Sequence, residues 1–407
     1  MVNLQKGPEV LAPAGDMERL KAAIRYGADA VYLGSTEFGM RASAASFGVE
    51  ELPRAVELAH GAGVKVYLTC NTLPRNGEID RMGDFLRWAG DCGVDAFIVT
   101  DMGVLGLLRE VLPEAELHIS TQAGVVNWRT AAEFYRMGAR RVVLARELSL
   151  EEIREIRKRA PQELELEVFV HGAMCMSVSG RCLLSNYMTG RDANRGQCAQ
   201  PCRWNYRLVE EKRPGQYYPV FEDEAGSYIL NAKDLCLLEH LRELIEAGVS
   251  SLKIEGRAKS AYYVSVVANA YRVAVDGYRA DPAGWKCPEW LSEEVRKVSH
   301  REYSTGFLFG TPDQRCSQGG YVRNWDIMAV VERWEDGMAF CRQRNKFCAG
   351  EVLELLEPGK APEALELPEL FDGEGNPIPD TRHADMAFSF PCGREIVPGA
   401  ILRKQVD

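Results

Sequence analysis

A short apolar run followed by an amphipathic helical stretch recurs eight times between residues 8 and 257, and this repeat restricts the fold more than any other feature. The runs are nearly continuous in apolar residues, as in parallel strands that are buried on both faces. The eight predicted strands are Glu9–Pro13, Ala30–Leu33, Lys65–Thr69, Ala96–Val99, Glu116–Ile119, Arg141–Leu144, Leu166–Val170 and Ser251–Ile254. They predict an α/β fold, a closed (β/α)8 TIM-like barrel, with an open doubly wound sheet as the alternative.

The pattern changes after about residue 310, where short strand-like segments are separated by Gly and Pro. These segments include Ile327–Val331, Met338–Cys341, Val352–Leu356 and Gly399–Arg403. They predict a small C-terminal β-barrel-like domain. We therefore expect a catalytic domain at 1–310 and a β-rich domain at 311–407, with a Pro-rich, acidic loop at 357–380.

The connection between the seventh and eighth predicted strands, about 171–248, is too long for a single helix and is predicted to be a functional insertion. In a barrel, chemistry is concentrated at the carboxyl ends of the strands. Polar residues at those ends include Arg146, His171, Glu255 and Arg257, and we expect the site to be built there. Asp16 is also at a strand end, where its alternative role is to cap the next helix.

The size and composition of the chain exclude several classes of protein. The 407 residues carry a net charge of −10, which argues against wholesale electrostatic binding of nucleic acid. No apolar signal segment is visible near Met1, and no apolar run approaches the roughly 18 residues of a membrane helix. We therefore expect a cytoplasmic protein with no membrane partner, in a compartment where thiols stay reduced.

Four cysteines are concentrated in the predicted insertion: Cys175, Cys182, Cys198 and Cys202. Their spacing is C-x6-C, fifteen residues, then C-x3-C. Thiolates are soft ligands, and the first pair is wider than the knuckles of zinc ribbons, so the spacing favours an iron–sulfur cluster over structural zinc. A disulfide pair, inert thiols and a cysteine nucleophile with His171 as base remain alternatives.

Two further features bear on this segment. Cys236 lies at the start of a helical pattern and is an alternative fourth ligand, although a buried helix cysteine is the simpler interpretation. Residues 181–213 contain seven basic and three acidic residues, which is compatible with a polyanion site or with a solvated loop.

Several motifs resemble those of the collagenase-like peptidase family of unknown catalytic type. The longest is the stretch 167–185, which contains His171-Gly-Ala-Met-Cys175 and Gly180-Arg-Cys182-Leu-Leu-Ser185. The others are Leu11–Asp16, Ala28–Gly34, Lys253–Arg257, Arg344–Phe347 and Gly350-Glu351. The resemblance covers about 8–310 and extends into the C-terminal domain.

The resemblance implies an activity. Branches of this family look like oxygen-independent hydroxylases with a 4Fe–4S cluster, and the segment Gln197–Trp204 is most similar to the branch that forms 5-hydroxyuridine at the tRNA wobble position. Prephenate is the implied oxygen donor, the tRNA anticodon loop the implied partner, and another family member a candidate accessory protein. A ribosomal RNA hydroxylase, a peptidase and a non-catalytic cluster protein are the alternatives.

The resemblance and residue chemistry together assign roles. The family's cluster ligands fall on Cys175, Cys182, Cys198 and Cys202, with Cys236 as the alternative. His171 and Glu255 are expected to move protons, and Arg257 belongs with them in the catalytic set. The carboxylates of prephenate are expected to bind Arg41, Arg146 and Arg257, because an Arg fork matches a carboxylate. The anticodon loop is expected to contact Arg191, Arg195, Arg203 and Trp204.

Overall fold

The computed structural model describes residues 7–38, 46–174, 184–191, 197–201, 204, 207–208, 218–219, 233–310 and 321–406. The strands before the C-terminal region are β1 (Glu9–Pro13), β2 (Ala30–Gly34), β3 (Lys65–Cys70), β4 (Ala96–Val99), β5 (Glu116–Ile119), β6 (Arg141–Val143), β7 (Glu165–Gly172), β8 (Arg207–Leu208), β9 (Tyr218–Pro219), β10 (Asp234–Cys236), β11 (Ser251–Ile254) and β12 (Tyr303–Ser304). The helices are α1 (Met17–Arg25), α2 (Glu51–Gly61), α3 (Asn76–Asp91), α4 (Met102–Val111), α5 (Trp128–Arg136), α6 (Leu150–Arg159), α7 (Leu184–Thr189), α8 (Leu241–Glu246), α9 (Ala261–Ala280) and α10 (Glu289–Glu294).

Strands β1 to β7 pair in parallel in chain order, and β11 closes the barrel. Ser251, the first residue of β11, is the Cα partner of Glu9 in β1 and of Glu167 in β7. The predicted (β/α)8 barrel is confirmed, and the open sheet is wrong. Each of the eight predicted barrel strands is present, with ends shifted by at most one or two residues.

The barrel is stabilised by apolar packing between its strands and the surrounding helices. Outward-facing strand residues such as Val10, Val31 and Val66 are completely buried in this layer. Side-chain caps fix where the helices begin: the Asp16 carboxylate accepts from the backbone N–H of Arg19 at 2.8 Å at the start of α1. Asp16 therefore has the capping role that was the alternative to a role in the site.

Two short strands extend the barrel wall beside β7: β10, from the connection between β7 and β11, and β12, which follows α10. β10 pairs antiparallel with the end of β7, and β12 pairs parallel with β10. This pairing extends the sheet at the carboxyl end of β7, next to the segment that carries Cys175. Most of residues 175–232 are outside the described ranges, so the structure tests only the edges of the predicted insertion.

The C-terminal region forms a separate, curled antiparallel sheet. Its strands are β13 (Trp325–Glu335), β14 (Met338–Gln343), β15 (Val352–Leu356), β16 (Glu363–Glu366), β17 (Leu370–Asp372), β18 (Pro377–Ile378), β19 (Ala387–Pro391) and β20 (Ile401–Gln405). They surround a core of their own that includes Phe347, Phe388 and Phe390. The predicted β-rich domain is confirmed, while the predicted boundary at 310/311 borders a segment, 311–320, outside the described residues.

The prediction of a loop at 357–380 is wrong, because β16, β17 and β18 lie in it. These strands have two to four residues, and β16 and β18 are the two edges of the sheet. β16 carries two glutamates and β18 begins with Pro377, and charges and proline at a sheet edge discourage pairing with other chains. Neither strand therefore shows the alternating apolar pattern that identifies a strand in sequence.

Buried ion pairs join the C-terminal sheet to the barrel. Arg403 of β20 is completely buried, and its guanidinium contacts Glu294 of α10 at 2.6 Å and Glu354 of β15. The Tyr26 hydroxyl at the end of α1 lies 3.1 Å from the Gly399 carbonyl oxygen. These contacts fix the position of the C-terminal sheet against the helices of the barrel.

Candidate active site at the carboxyl end of the barrel

A ladder of charged side chains runs along the barrel axis on β11 and the residues that follow it. Lys253, Glu255 and Arg257 occupy alternate positions, and all three are buried. Alternation in an extended segment puts them on one face, here the lumen, while Ile254 faces the helices. The ladder leads from the middle of the lumen to its carboxyl end.

The lower part of the lumen is filled by an ion-pair network. Lys253 Nζ lies 2.7 Å from Glu167 Oε1, and the Arg141 guanidinium contacts Glu167 at 3.0 Å and Glu9 at 2.6 Å. The Tyr67 hydroxyl donates to Glu9 at 2.7 Å. Each buried charge therefore has an opposite charge beside it, which is the condition for keeping it ionised in a low-dielectric interior.

The pKa values of these groups show which effect dominates at each one. Burial would raise the pKa of the Glu167 carboxyl, but the charges of Lys253 and Arg141 outweigh it and hold that pKa below its ordinary value. Burial lowers the pKa of the Lys253 ammonium, and Glu167 offsets part of that effect. Burial also lowers the pKa of His118 well below its ordinary value, so this imidazole is neutral in the network.

Replacing Arg141 by methionine is expected to lower the free energy of unfolding by roughly 3–5 kcal/mol, because Glu9 and Glu167 would stay buried without their partner. Urea titration followed by circular dichroism measures this. The matched control is Arg136→Met, which removes an arginine that is 58% exposed and paired with Glu133, and should cost at most about 0.5 kcal/mol. If both variants lost the same small amount of unfolding free energy, the buried network would not be a major source of stability.

Above the network, Arg257 lies across the carboxyl ends of β2 and β3. Its Nη1 donates to Thr69 Oγ1 at 3.1 Å, and the Thr69 hydroxyl in turn donates to the Leu33 carbonyl oxygen at 3.0 Å. The absence of a side chain at Gly34 makes this position available, since a Cβ there would collide with Arg257 Nη1. Gly34, the last residue of the motif Ala28–Gly34, therefore leaves the space that the buried guanidinium of Arg257 occupies.

Glu255 contacts the wall of the lumen through Tyr32 and His171. Its Oε2 lies 3.3 Å from the hydroxyl of Tyr32, which also lies 2.9 Å from the Ile254 carbonyl oxygen. Its backbone N–H donates to the His171 carbonyl oxygen at 2.8 Å. A carboxylate and a guanidinium two residues apart thus face the mouth of the lumen, an arrangement suited to binding an anion and moving a proton beside it.

The ends of β7 and β11 meet at Gly172. This residue has φ +107°, and a Cβ on it would lie 2.6 Å from the Glu255 carbonyl oxygen. The Tyr263 hydroxyl of α9 donates to that same oxygen at 3.1 Å. Only glycine allows the two chain segments to approach so closely while the backbone has this conformation. Gly172 therefore fixes the segment that leads to Cys175 against the segment that carries Glu255.

His171 is not in the lumen, contrary to the expectation that β7 delivers it to the barrel mouth. The register between β7 and β11 shifts, so that Phe169 is opposite Lys253 but His171 is opposite Ile254. This bulge turns His171 toward the helices, where its ring is 5.1 Å from that of Tyr303. The orientation of His171 thus depends on a bulge between two paired strands, which the alternation of residues along β7 alone does not reveal.

The surroundings of His171 keep it neutral. Burial lowers the pKa of His171 to about 3. The Tyr303 hydroxyl donates to the Val295 carbonyl oxygen at 2.8 Å, so His171 Nε2–H is the donor in its 3.2 Å contact with Tyr303. His171 is thus a hydrogen-bond donor that supports the end of β7.

Arg146, at the end of β6, reaches the same mouth. Its Nη1 donates to the Ala173 carbonyl oxygen at 2.7 Å, and its guanidinium lies 3.7 Å from the centre of the Phe169 ring. At the same end of the barrel, the Asn71 side-chain amide after β3 donates to Gln122 Oε1 after β5 at 3.0 Å. Arg146 and Arg257 are therefore brought to one end of the barrel by different strands.

The remaining candidate residues lie in the insertion, except Arg41, which follows β2. Arg191 is exposed, and Trp204 is 46% exposed, so its ring is not part of the core. Arg41, Arg195 and Arg203 are outside the described residues, as are Cys175, Cys182 and Cys202.

Cys198 and Cys236 are the cluster candidates that the structure describes. Cys198 is exposed, and the next residue, Ala199, donates its backbone N–H to Ser185 Oγ at 2.9 Å. Cys236 ends the short strand β10 opposite His171, so the predicted position at the start of a helix is wrong. Because Ser185 follows Cys182 by three residues, its hydrogen bond holds the chain near Cys182 close to the chain near Cys198.

Sequence reasoning missed the lumen residues Lys253, Glu167, Arg141, Glu9 and Thr69. Their signal is a charged residue at alternate positions inside an otherwise apolar strand, as in Glu165-Leu-Glu167 and Lys253-Ile-Glu255. In a helix-covered parallel barrel, such a residue has to face the lumen because the other face packs against helices.

Comparison with known proteins identifies the family. The sequence model of peptidase family U32 matches residues 15–318, and that of the peptidase family U32 C-terminal domain matches residues 323–403. The chain belongs to peptidase family U32. The resemblance drawn from the motifs is therefore confirmed, and the U32 match covers the barrel and the C-terminal sheet in turn.

Curated relatives share this U32 architecture. The chain is 39% identical to tRNA hydroxylation protein P1 of Bacillus subtilis over 98% of this chain and 96% of that protein. It is 38% identical to tRNA hydroxylation protein P of Escherichia coli, over 91% of each. It is 35% identical to a collagenase of Porphyromonas gingivalis, over 74% of this chain and 73% of that protein. Within the described residues, no helix has the length and apolar character needed to cross a membrane.

Proposed function

We propose that this chain is a tRNA hydroxylase that forms 5-hydroxyuridine at the wobble position without molecular oxygen, with prephenate as the oxygen donor. The observation that carries the proposal is its match to tRNA hydroxylation protein P1 over nearly the full length of both chains. The polar end of the barrel supplies a site of the right chemistry for a small dianion beside a proton acceptor.

Two arginines support the choice of a carboxylate donor. Arg257 and Arg146 reach the mouth from β11 and β6, and the guanidinium of each is anchored by a hydrogen bond to the protein. Preorganised guanidinium groups bind carboxylates with little loss of side-chain entropy. Prephenate carries two carboxylates, so each arginine takes one, with Arg41 as a third predicted contact.

Two features of the cysteine segment support an iron–sulfur cluster: its thiolate donors and the contacts that hold the segment in place. Cys175, Cys182, Cys198 and Cys202 would hold a 4Fe–4S cluster through their thiolates. The Ala199–Ser185 hydrogen bond joins the described parts of this segment to each other, and the position of Gly172 against Glu255 holds its start at the barrel mouth. When bound, the cluster would hold and activate the oxygen donor.

Glu255 is the residue that we assign to proton transfer. Hydroxyl transfer breaks a C–O bond of prephenate, which is the two-electron oxidant, and forms the C–O bond at the uracil ring carbon. The ring hydrogen leaves as a proton, which has to be accepted near the mouth, and the reduced donor takes up a proton in return. Glu255 accepts the ring proton at its carboxylate, which Tyr32 orients through its hydroxyl at 3.3 Å. His171, catalytic in the sequence prediction, is reassigned as a positioning residue because it supports β7 from outside the lumen.

The anticodon loop reaches this mouth from the side of the insertion. Arg191 is exposed and so is the ring of Trp204, and Arg195 and Arg203 are their predicted companions in this contact. Arginines contact phosphates, and an exposed indole offers a surface for an unstacked base, which is how proteins hold single-stranded RNA loops.

The test is expression of this chain in a bacterium that lacks its own tRNA hydroxylation proteins. Mass spectrometry of nucleosides from purified tRNA should show 5-hydroxyuridine restored, and a host unable to make prephenate should show none. Modification that appears in ribosomal RNA instead of tRNA would overturn the substrate, and modification without prephenate would overturn the donor.

Peptidase activity is the second candidate, favoured by the match to a collagenase over about three quarters of the chain. Incubation of the same purified protein with denatured collagen tests it directly. Collagen cleavage that survives in Glu255→Gln, together with unmodified tRNA, would put the peptidase first.

A further inference from the structure

An exposed aromatic ring flanked by two cations lies beside the barrel mouth. The ring of Tyr321 is 41% exposed, Lys259 Nζ lies 4.4 Å from its centre, and the Arg301 guanidinium carbon lies 5.4 Å from it. We call these three residues the Tyr321 rim. None of them is in the insertion or among the predicted site residues.

The rim is tied to the candidate active site through the chain. Lys259 follows Arg257 by two residues, and its backbone N–H donates to the Gly256 carbonyl oxygen at 2.8 Å. Its Nζ donates to the Ser299 carbonyl oxygen at 3.0 Å, which fixes the ammonium on the side of the following segment. The turn that places Arg257 in the mouth therefore places Lys259 at its edge.

The other two members are held equally firmly. Arg301 is 7% exposed, and its backbone N–H donates to the Asp234 carboxylate at 3.1 Å. Tyr321 precedes Val322, which exchanges two backbone hydrogen bonds with His300, at 2.7 and 3.2 Å. The rim is thus preorganised, so binding a ligand on it costs little conformational entropy.

This combination suits a nucleotide of a single-stranded loop. The flat ring offers a stacking surface to any base, and the partly exposed Lys259 is within reach of the adjoining phosphate, while the buried Arg301 stays against the ring. The chain as a whole carries a net charge of −10, so two cations beside an exposed ring at the mouth are a local exception. A partner that carries both negative charge and a base matches this combination better than an acidic surface without bases does.

We propose that the Tyr321 rim binds the nucleotide adjacent to the uridine that enters the barrel, by stacking its base on Tyr321 and contacting its phosphate with Lys259. The inference rests on the proposed tRNA hydroxylase function and gives it a second RNA contact, separate from Arg191 and Trp204. A base taken out of a stack into a pocket leaves its neighbours without a stacking partner, and the rim supplies one.

The test compares Tyr321→Leu with Tyr321→Phe for binding of a fluorescent anticodon stem-loop RNA, followed by anisotropy. Leucine keeps apolar bulk and removes the stacking face, so the Kd should rise about tenfold, whereas phenylalanine should stay within about twofold of wild type. Lys259→Gln should weaken binding about threefold to tenfold and lower the salt dependence by about one released counterion.

Phe309→Leu is the matched control, because Phe309 is 54% exposed but packs on His240 instead of on cations. It should bind as wild type, and thermal melting checks that every variant is folded. If wild type fails to bind the RNA, the proposed function and the inference fall together. If wild type binds and Tyr321→Leu binds equally well, or Phe weakens binding as much as Leu, the rim is wrong and the hydroxylase proposal stands.

Discussion

Arg257→Lys is expected to lower kcat/KM for tRNA hydroxylation about 100- to 1,000-fold while the protein stays folded. Lysine keeps the charge but loses the planar fork that contacts Thr69 and a carboxylate at once. Loss of a desolvated charged contact in a binding site costs roughly 3–4 kcal/mol, which gives this range. Initial rates of 5-hydroxyuridine formation at several prephenate concentrations measure it.

Gly34→Ala reaches the same guanidinium without altering it. The new methyl group would collide with Arg257 Nη1, and the flexible end of the arginine is what moves. We expect about a 10- to 100-fold loss of kcat/KM, because small displacements of a positioning group have effects of this size. Gly106→Ala is the control, since a Cβ there meets nothing within 4 Å in α4 and should leave the rate unchanged.

The two variants together separate a binding role from a structural one. If Arg257 only stabilised the barrel, both variants would lower the melting temperature and leave the rate of the folded protein unchanged. If it binds the donor, the Michaelis constant for prephenate rises in both. A normal rate in Gly34→Ala with a normal melting temperature would show that the position of Arg257 over Gly34 is irrelevant to activity.

The barrel was predictable because its signal is repeated. Eight apolar runs with helical patterns between them determine strand identity and order, and parallel connections leave few topologies. The carboxyl-end residues Glu255 and Arg257 followed from the rule that barrel chemistry is at strand ends. Both lie there in the structure, and so does Arg146.

The failures have a different origin. His171 faces the helices because of one register shift between Lys253 and Ile254, a feature of two paired strands that neither strand shows alone. The short strand that ends at Cys236 forms only because β7 and β12 are beside it. Whether such a short strand forms depends on the strands it pairs with, whereas long strands and helices are determined by the residue pattern of their own sequence.

The cysteine segment was the most prominent sequence feature, and its edges are now fixed in space. Gly172 leads into it from β7, and Ser185 and Ala199 join its two halves. The assignment of the four cysteines as ligands is a proposal that rests on their spacing and the family resemblance. A direct measurement of bound iron is therefore the second decisive test.

Cys198→Ser is expected to abolish the cluster and tRNA hydroxylation together. Wild-type protein purified without oxygen should contain about four irons and four acid-labile sulfides per chain, as the stoichiometry of a 4Fe–4S cluster requires. The variant should lose most of both, together with the visible absorption of the cluster. Cys348→Ser is the matched control, because Cys348 is also exposed but lies in the C-terminal region, and it should keep the full complement.

The fourth ligand is decided by the pair Cys202→Ser and Cys236→Ser. Cys236 is anchored in β10 opposite His171, whereas Cys202 is four residues from Cys198 in the segment that Ala199 ties to α7. A cluster held within that segment loses iron in Cys202→Ser and keeps it in Cys236→Ser. The reverse result would show that Cys236, in the barrel wall, is the fourth ligand. One zinc per chain in the wild-type protein would exclude iron–sulfur chemistry from the proposed function.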